Sequence, residues 1–245
     1  MRKSCPKLSI VLVMASLALL LAGCAATTTA IRYGDLDVQT KMSNTIFLEP
    51  VAPAQRTVFV QIRNTTDKQL NIEPQIKGAI AARGYRIVND PSKAHYILQA
   101  NVLQVGRTDK SALEQSQLAG FGGVAMGVGA GALLGGSRAA QGAAIGGLAA
   151  GAVEAISGSA VKVVWYSMIT DIQLSEKVPG AVSQQFQSQL KSGTSTTVTQ
   201  TSASTSNRKK YQTRIVSSAR KTNLEFAEAL PHLEQGLVNS IGGVF

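Results

Sequence analysis

Val161-Lys162-Val163-Val164-Trp165-Tyr166-Ser167-Met168-Ile169-Thr170-Asp171-Ile172-Gln173-Leu174-Ser175 decides the fold. The run is rich in β-branched and aromatic residues and holds no Pro or Gly, so it reads as one long strand. Its two-residue period sets Val163, Trp165, Ser167, Ile169 and Asp171 on one face, and Val164, Tyr166, Met168, Thr170 and Ile172 on the other. Both faces are substantially apolar, which predicts a strand running through the middle of a sheet. Downstream, Val182 to Leu190 and Tyr211 to Ser217 continue the β pattern. Between them Ser192 to Asn207, rich in Ser and Thr, reads as a hairpin extension or a mobile loop. An amphipathic helix from about Pro231 closes the chain, with Leu230, Leu233, Leu237, Val238 and Ile241 on one face.

Upstream, the segments Leu36 to Thr40, Thr45 to Leu48 and Thr57 to Ile62 also read as strands. A polar turn, Thr65-Thr66-Asp67-Lys68, precedes a helix starting near Pro74, since proline suits the first helical turn. Ile72, Ile76, Ala79 and Ile80 fall at helical spacing, and Gly84 is placed to be the left-handed cap. Tyr85 to Val88 and His95 to Val105 are predicted strands on either side of an Asp90-Pro91-Ser92 turn. The run from Gly84 to Ala100 resembles the strand, helix, strand, strand unit of several outer-membrane lipoproteins, including curli-secretion-type subunits. That is a statement about fold and carries no activity.

Between Glu114 and Arg138 no residue is charged, and Gly, Ala, Val and Leu dominate. Gly123, Gly127, Gly131 and Gly135 recur every fourth position, and Gly142-Gly146 with Gly147-Gly151 repeat the spacing. Four-residue spacing places each set on one helix face. In water so many glycines destabilise a helix, by about 1 kcal/mol each relative to Ala, whereas in lipid a glycine face lets two helices approach closely. A first arm from Gly120 to Gly136 spans about 25 Å, and Ser137-Arg138 forms the tip. The expected fold class is therefore α+β: a mixed or antiparallel sheet with flanking helices, interrupted by a Gly-rich transmembrane helical hairpin whose glycines form the membrane and oligomer interface. A ring or bundle of copies covers those glycine faces.

The amino-terminal end carries Arg2, Lys3 and Lys7, an apolar run from Leu8 to Leu21, then Ala22 and Gly23 before Cys24, the order of a secretory signal. Leu21-Ala22-Gly23-Cys24 resembles the lipobox of bacterial lipoproteins. This implies cleavage before Cys24, with a diacylglycerol on its thiol and an acyl chain on its new amino group, and no other cofactor. Ala25 implies export to the outer membrane. The expected organisation is a signal peptide over 1–23, a lipidated tether over 24–35, a first α+β part over 36–113, the glycine hairpin over 114–160 and a second α+β part over 161–245.

Cys5 leaves with the signal and Cys24 is acylated, so no intramolecular disulfide is expected. The chain has 24 basic and 14 acidic residues; losing three basic ones with the signal leaves about +7. Nucleic acid is a poor partner at an envelope, whereas the outer membrane and its lipopolysaccharide offer phosphate-bearing surfaces. Arg208-Lys209-Lys210, Arg214 and Arg220-Lys221 read as a solvated strand-and-turn face.

No catalytic constellation is present in the mature sequence. His95 and His232 are far apart and lack neighbours that make a metal site or a triad, and there is neither a Gly-x-Ser-x-Gly elbow nor a His-Glu-x-x-His pair. Asp35 and Asp37 project to one side of a strand as solvated carboxylates. Gly127-Val128-Gly129-Ala130-Gly131 lacks the following acidic residue of a dinucleotide site. The chain is not expected to be an enzyme.

These residues resemble the TraT family of plasmid-encoded surface-exclusion and complement-resistance lipoproteins over most of the mature chain. The likeness is carried by Leu36 to Ser43 with Thr45 to Pro50, Arg56 to Ile62, Gly84-Tyr85, Gln99 to Leu103, the Gly-rich segment, Met168 to Asp171 and Tyr211 to Arg214. It implies a homo-oligomer anchored in the outer membrane and exposed at the cell surface. Such a protein reduces conjugative entry of a related plasmid, through the donor's mating apparatus or another outer-membrane protein, and in some members blunts complement killing. Gln117 to Ser137 departs from the family and is a candidate specificity determinant. The rival reading is a ring-forming channel or secretion component, and an envelope enzyme is a distant third.

Overall fold

A computed structural model describes residues 32–122, 162–192 and 196–245. Six strands form one sheet: β1 (Asp37–Met42), β2 (Thr57–Asn64), β3 (Arg86–Ile87), β4 (Tyr96–Thr108), β5 (Val163–Ser192) and β6 (Thr196–Thr222). Their order is β1-β6-β5-β4-β2-β3. The four strands from β1 to β4 across β6 and β5 pair antiparallel, while β4, β2 and β3 run parallel. The strand read from Val161 to Ser175, formed from Val163 onward, thus lies in the middle of the sheet as expected.

Three helices pack on this frame: α1 (Glu73–Ala82), α2 (Lys110–Ala119) and α3 (Phe226–Gly242). In α1, Pro74 occupies the first turn and Gly84 follows the end with φ +85°, as its spacing predicts. Ile72, Ile76 and Ile80 point into the core. The last helix begins at Phe226, five residues before Pro231, and buries Leu233, Leu237, Val238 and Ile241. Both helices cover one face of the sheet, meeting Val58, Val60, Leu98, Val102, Met168, Ile172, Leu174 and Ile215. At one end Phe245 stacks edge-on against Tyr85 and Tyr96, at 5.1 and 6.0 Å between ring centres.

The strands β5 and β6 are longer than the periodicity suggests. Beyond Lys177 and Arg208 their ladder is interrupted at Val178 to Ala181, where Pro179 and Gly180, φ +140°, form a bulge. It resumes from Val182↔Ser206 to Ser192↔Thr196, so Ser192 to Asn207 is mostly β-ribbon. Among the described residues β4 ends its pairing at Glu176 and β1 at Ile215, which leaves the outer ribbon with two strands only.

Two expectations are corrected. Thr45 to Leu48 is no strand: the segment after β1 is held by side chains, with the Asn44 amide donating to Thr213 Oγ1 and the Tyr96 hydroxyl to the Glu49 carbonyl. Phe47 there is 80% exposed.

The fold class with a transmembrane helical hairpin is also overturned; the described residues form a strand-rich sheet with three α-helices, none of them long and apolar enough to cross a membrane. Where the first arm is expected to start, the chain does the opposite of propagating a helix. α2 ends at Ala119, and Gly120 and Gly122 take φ +62° and +72°, values that stop a right-handed helix. The glycine spacing counted glycine as a helix-packing residue, while at these two positions it serves as a turn residue. The expected boundary at 113/114 falls inside α2. Gly123, Gly127, Gly131, Gly135, Gly142, Gly146, Gly147 and Gly151 lie outside the described residues, as does Cys24.

Candidate functional site on the polar face

The face of the sheet opposite α1 and α3 is built from register. Gln61, Gln99, Gln173 and Gln212 fall on one row across β2, β4, β5 and β6, because Gln61 pairs with Gln99, Gln99 with Gln173, and Gln173 with Gln212. Their amides join in one direction: Gln212 Nε2 donates to Gln173 at 2.9 Å, Gln173 to Gln99 at 3.2 Å, and Gln99 to Gln61 at 2.8 Å. One row further lie Asn101, Asp171 and Arg214. Asp171 and Arg214 form a two-pronged ion pair, with Nε to Oδ1 at 2.6 Å and Nη2 to Oδ2 at 3.0 Å. Arg214 is fully buried and Asp171 is 9% exposed.

This pair organises α2 as well as the sheet. Arg214 Nη1 donates to the Ser116 carbonyl at 3.2 Å, one of the last-turn carbonyls that a helix leaves without an internal partner. The Gly122 amide donates to Asp171 Oδ2 at 2.8 Å. At its other end α2 is capped by Asp109, whose carboxylate accepts from the Ala112 amide at 2.7 Å and from Ser111 Oγ at 2.6 Å. Leu113 of α2 then packs on Ile169 and Val216, with Leu103 and Trp165 beside them. Leu118, on the outer side, is 87% exposed.

Between the glutamine row and the end of α2 lies an open groove of about 300 Å³, lined by Gln61, Arg63, Gln99, Asn101, Phe121 and Asp171. Asn101 Oδ1 is buried and accepts no hydrogen bond among the described residues. The groove offers amide donors and acceptors, one cation and an aromatic ring, which is chemistry for holding a polar surface. Primary amides supply neither an acid nor a base near neutral pH.

The basic cluster expected to be a solvated face is in large part structural. Arg208 donates to the carbonyls of His95 at 3.0 Å and Ala94 at 2.8 Å, Arg214 is buried against Asp171, and Arg220 Nη2 meets Asp37 at 2.6 Å. Arg220 also lies 5.0 Å from the ring centre of Trp165 and 5.4 Å from that of Tyr33. Lys221 pairs with Glu228. The correction has a physical reason: strand pairing brings carboxylates and carbonyls distant in sequence opposite these arginines, and a charge count along the chain carries no such information.

Asp37 pairs with Arg220 and makes no carboxylate dyad with Asp35. His95 stacks on Tyr96 at 4.7 Å; burial pushes its imidazole below the usual range, Glu176 opposes this, and Arg208 and Lys177 add to it. Burial raises the Tyr96 and Tyr211 hydroxyls, helped in Tyr96 by Glu176. Among the described residues no three His, Cys, Asp or Glu side chains gather as a metal site. The pair that sequence reasoning missed, Asp171 and Arg214, had one local signal. Asp109 as N-cap and Gly120 as terminator bracket α2, which marks a helix end needing a cation nearby.

Comparison with known proteins is decisive for family. The profile described as Enterobacterial TraT complement resistance protein matches residues 35–245. The TraT complement resistance protein of Escherichia coli K12 is 43% identical over 250 residues, covering all of both chains. The protein of that name from Wigglesworthia glossinidia brevipalpis is 28% identical over 254 residues, covering 92% of this chain and 91% of that one. Among solved structures, a PelC L103M dodecamer chain from Paraburkholderia phytofirmans aligns over 86% of this chain and 94% of its own, at 11% identity and a TM-score of 0.27, too low to carry an argument.

Proposed function

Because this chain belongs to the TraT family of complement resistance proteins, we propose that it is a lipid-anchored homo-oligomer of the outer membrane. It acts there by occupying a surface, both against complement and against conjugative entry from related donors. Family membership makes it a non-catalytic protein. The observation that carries the reading is the full-length 43% identity to a complement resistance protein. The lipobox-like Leu21 to Cys24 supports acylation at Cys24 and retention in the membrane. The two-stranded ribbon beyond Lys177 supports self-association, because two strands alone are marginally stable in water and gain from further pairing. The open polar groove under α2 suits contact with another macromolecule better than turnover of a small one.

A blocker scales with copy number. Recipient cells expressing graded amounts are expected to accept a related conjugative plasmid progressively less often, while an unrelated plasmid enters normally. Survival in serum, measured on the same cells, rises with the same dose. Cys24→Ala, well expressed but unanchored, loses both effects. Unchanged mating frequency and unchanged serum survival at high surface density overturn the proposal.

A further inference from the structure

At the end of the sheet from which the ribbon projects lies a second cavity, of about 380 Å³, lined among others by Gln55, Thr57, Arg86, Lys93, His95 and Lys177. Its cations come from separate parts of the chain: Arg86 from β3, Lys93 from the short turn before β4, and Lys177 from the edge of the β5 bulge. Among the described residues none of the three forms an ion pair. The carboxylates nearby accept hydrogen bonds from other donors, while Asp90 also feels the charge of Lys93. Asp90, beside Lys93, accepts from the Ser92 amide at 2.9 Å and from its hydroxyl at 2.7 Å. Glu176 is buried and accepts from the Tyr211 hydroxyl at 2.8 Å. Behind the cavity Arg208 is fixed by its bonds to the His95 and Ala94 carbonyls, adding a fourth positive charge that cannot turn away.

We propose that this cavity is a binding site for a phosphate ester, held by Arg86, Lys93 and Lys177 with His95 as a further donor. Like charges lining one open cavity repel one another until an anion enters. A guanidinium fork with two ammonium groups suits the three oxygens of a phosphate better than the two of a carboxylate. The volume admits the phosphate and part of its carrier. The site stands independently of the surface-exclusion reading, and its ligand comes from a lipid headgroup or from soluble phosphate.

The test follows the His95 ring resonances by NMR in the full-length protein in detergent, through pH titrations with inorganic phosphate and with dihexanoyl phosphatidic acid. His95 is faced by Glu176 and Lys177 from β5, Arg208 from β6, Lys93 from the turn and Arg86 from β3. A bound dianion is expected to move its titration to higher pH. Lys93→Gln with Lys177→Gln should abolish that movement and weaken binding about tenfold or more. Without ligand this double variant should melt close to the parent, because mutual repulsion is removed together with only the solvent-exposed attraction between Lys93 and Asp90. The double variant Lys41→Gln with Lys162→Gln, at exposed positions outside the cavity, should keep both binding and shift. Should the cavity variant fail to fold, Arg86→Gln alone carries the same expectation. Tighter binding of dihexanoyl phosphatidic acid than of phosphate assigns the site to a lipid headgroup, and equal binding to soluble phosphate; both support it. A His95 titration unmoved by either ligand, or equal loss in both double variants, overturns it.

Discussion

The two faces of one sheet differ in what holds them. Under α1 and α3 the contact is dry, made by Ile76, Ile80, Leu98, Met168, Leu174, Leu233, Leu237 and others with almost no exposure. Under α2 the same strands present a row of glutamines and a buried ion pair, and among the described residues Leu113, Ile169 and Val216, with Leu103 and Trp165 beside them, form a small apolar patch. The dry face is stabilised by removing apolar area from water, a force without direction. On the polar face stability depends on donors meeting acceptors, so it specifies position closely: Arg214 and Asp171 locate both the end of α2 and the amide of Gly122, where the chain departs into its glycine-rich segment. The difference teaches that the sheet is held as a body from one side and fixes the end of α2 through Gly122 from the other.

The comparison breaks most sharply at the ion pair. Arg214→Ala leaves Asp171 buried without its cation and should destabilise the protein by about 3–5 kcal/mol, read from denaturant midpoints. Arg214→Met together with Asp171→Leu should cost far less, yet the Gly122 amide should exchange faster in both, having lost its anchor in one and its acceptor in the other. A double variant as unstable as the single one would mean that the polar face is held by the bonds to Ser116 and Gly122 and not by charge compensation.

Next in size is the dry face. Leu237→Ala removes a side chain that is 1% exposed and should cost about 2–4 kcal/mol, with amide exchange at Gly122 hastened only through global unfolding. Selective loosening of Gly122 in this variant would show that the two faces are coupled through the sheet.

The smallest effect is expected in the glutamine row. Gln99→Leu breaks two amide links, but Gln61 and Gln173 are half-buried and can turn to water, so about 0.5–1 kcal/mol should be lost. A cost equal to that of Leu237→Ala would mean that the row acts as one cooperative unit.

Much of this was legible beforehand. The two-residue period of Val163 to Leu174 and the helical spacing of Ile72, Ile76 and Ile80 report burial directly, because a face that must leave water repeats with the geometry of its own element. Gly84 could be placed because its positive φ is a local requirement at a helix end. The polar site was not legible. Arg214 stands in a run of basic residues that resembles a solvated strand, and its partner Asp171 lies 43 residues away.

The sequence by itself determined most of the strands and the first and last helices, where α1 stops, that β5 is central, and, through its likeness to TraT proteins, the family. All of these follow from local periodicity, local backbone preference or direct similarity along the chain. Only the tertiary structure decided the register that aligns four glutamines, the burial of Arg214, the gathering of Arg86, Lys93 and Lys177 around one cavity, and the turn at Gly120 to Gly122. The reason is physical: whether a charge is solvated, paired or opposed depends on which distant segment folds against it, and a glycine permits helix packing and a left-handed turn equally until its neighbours choose.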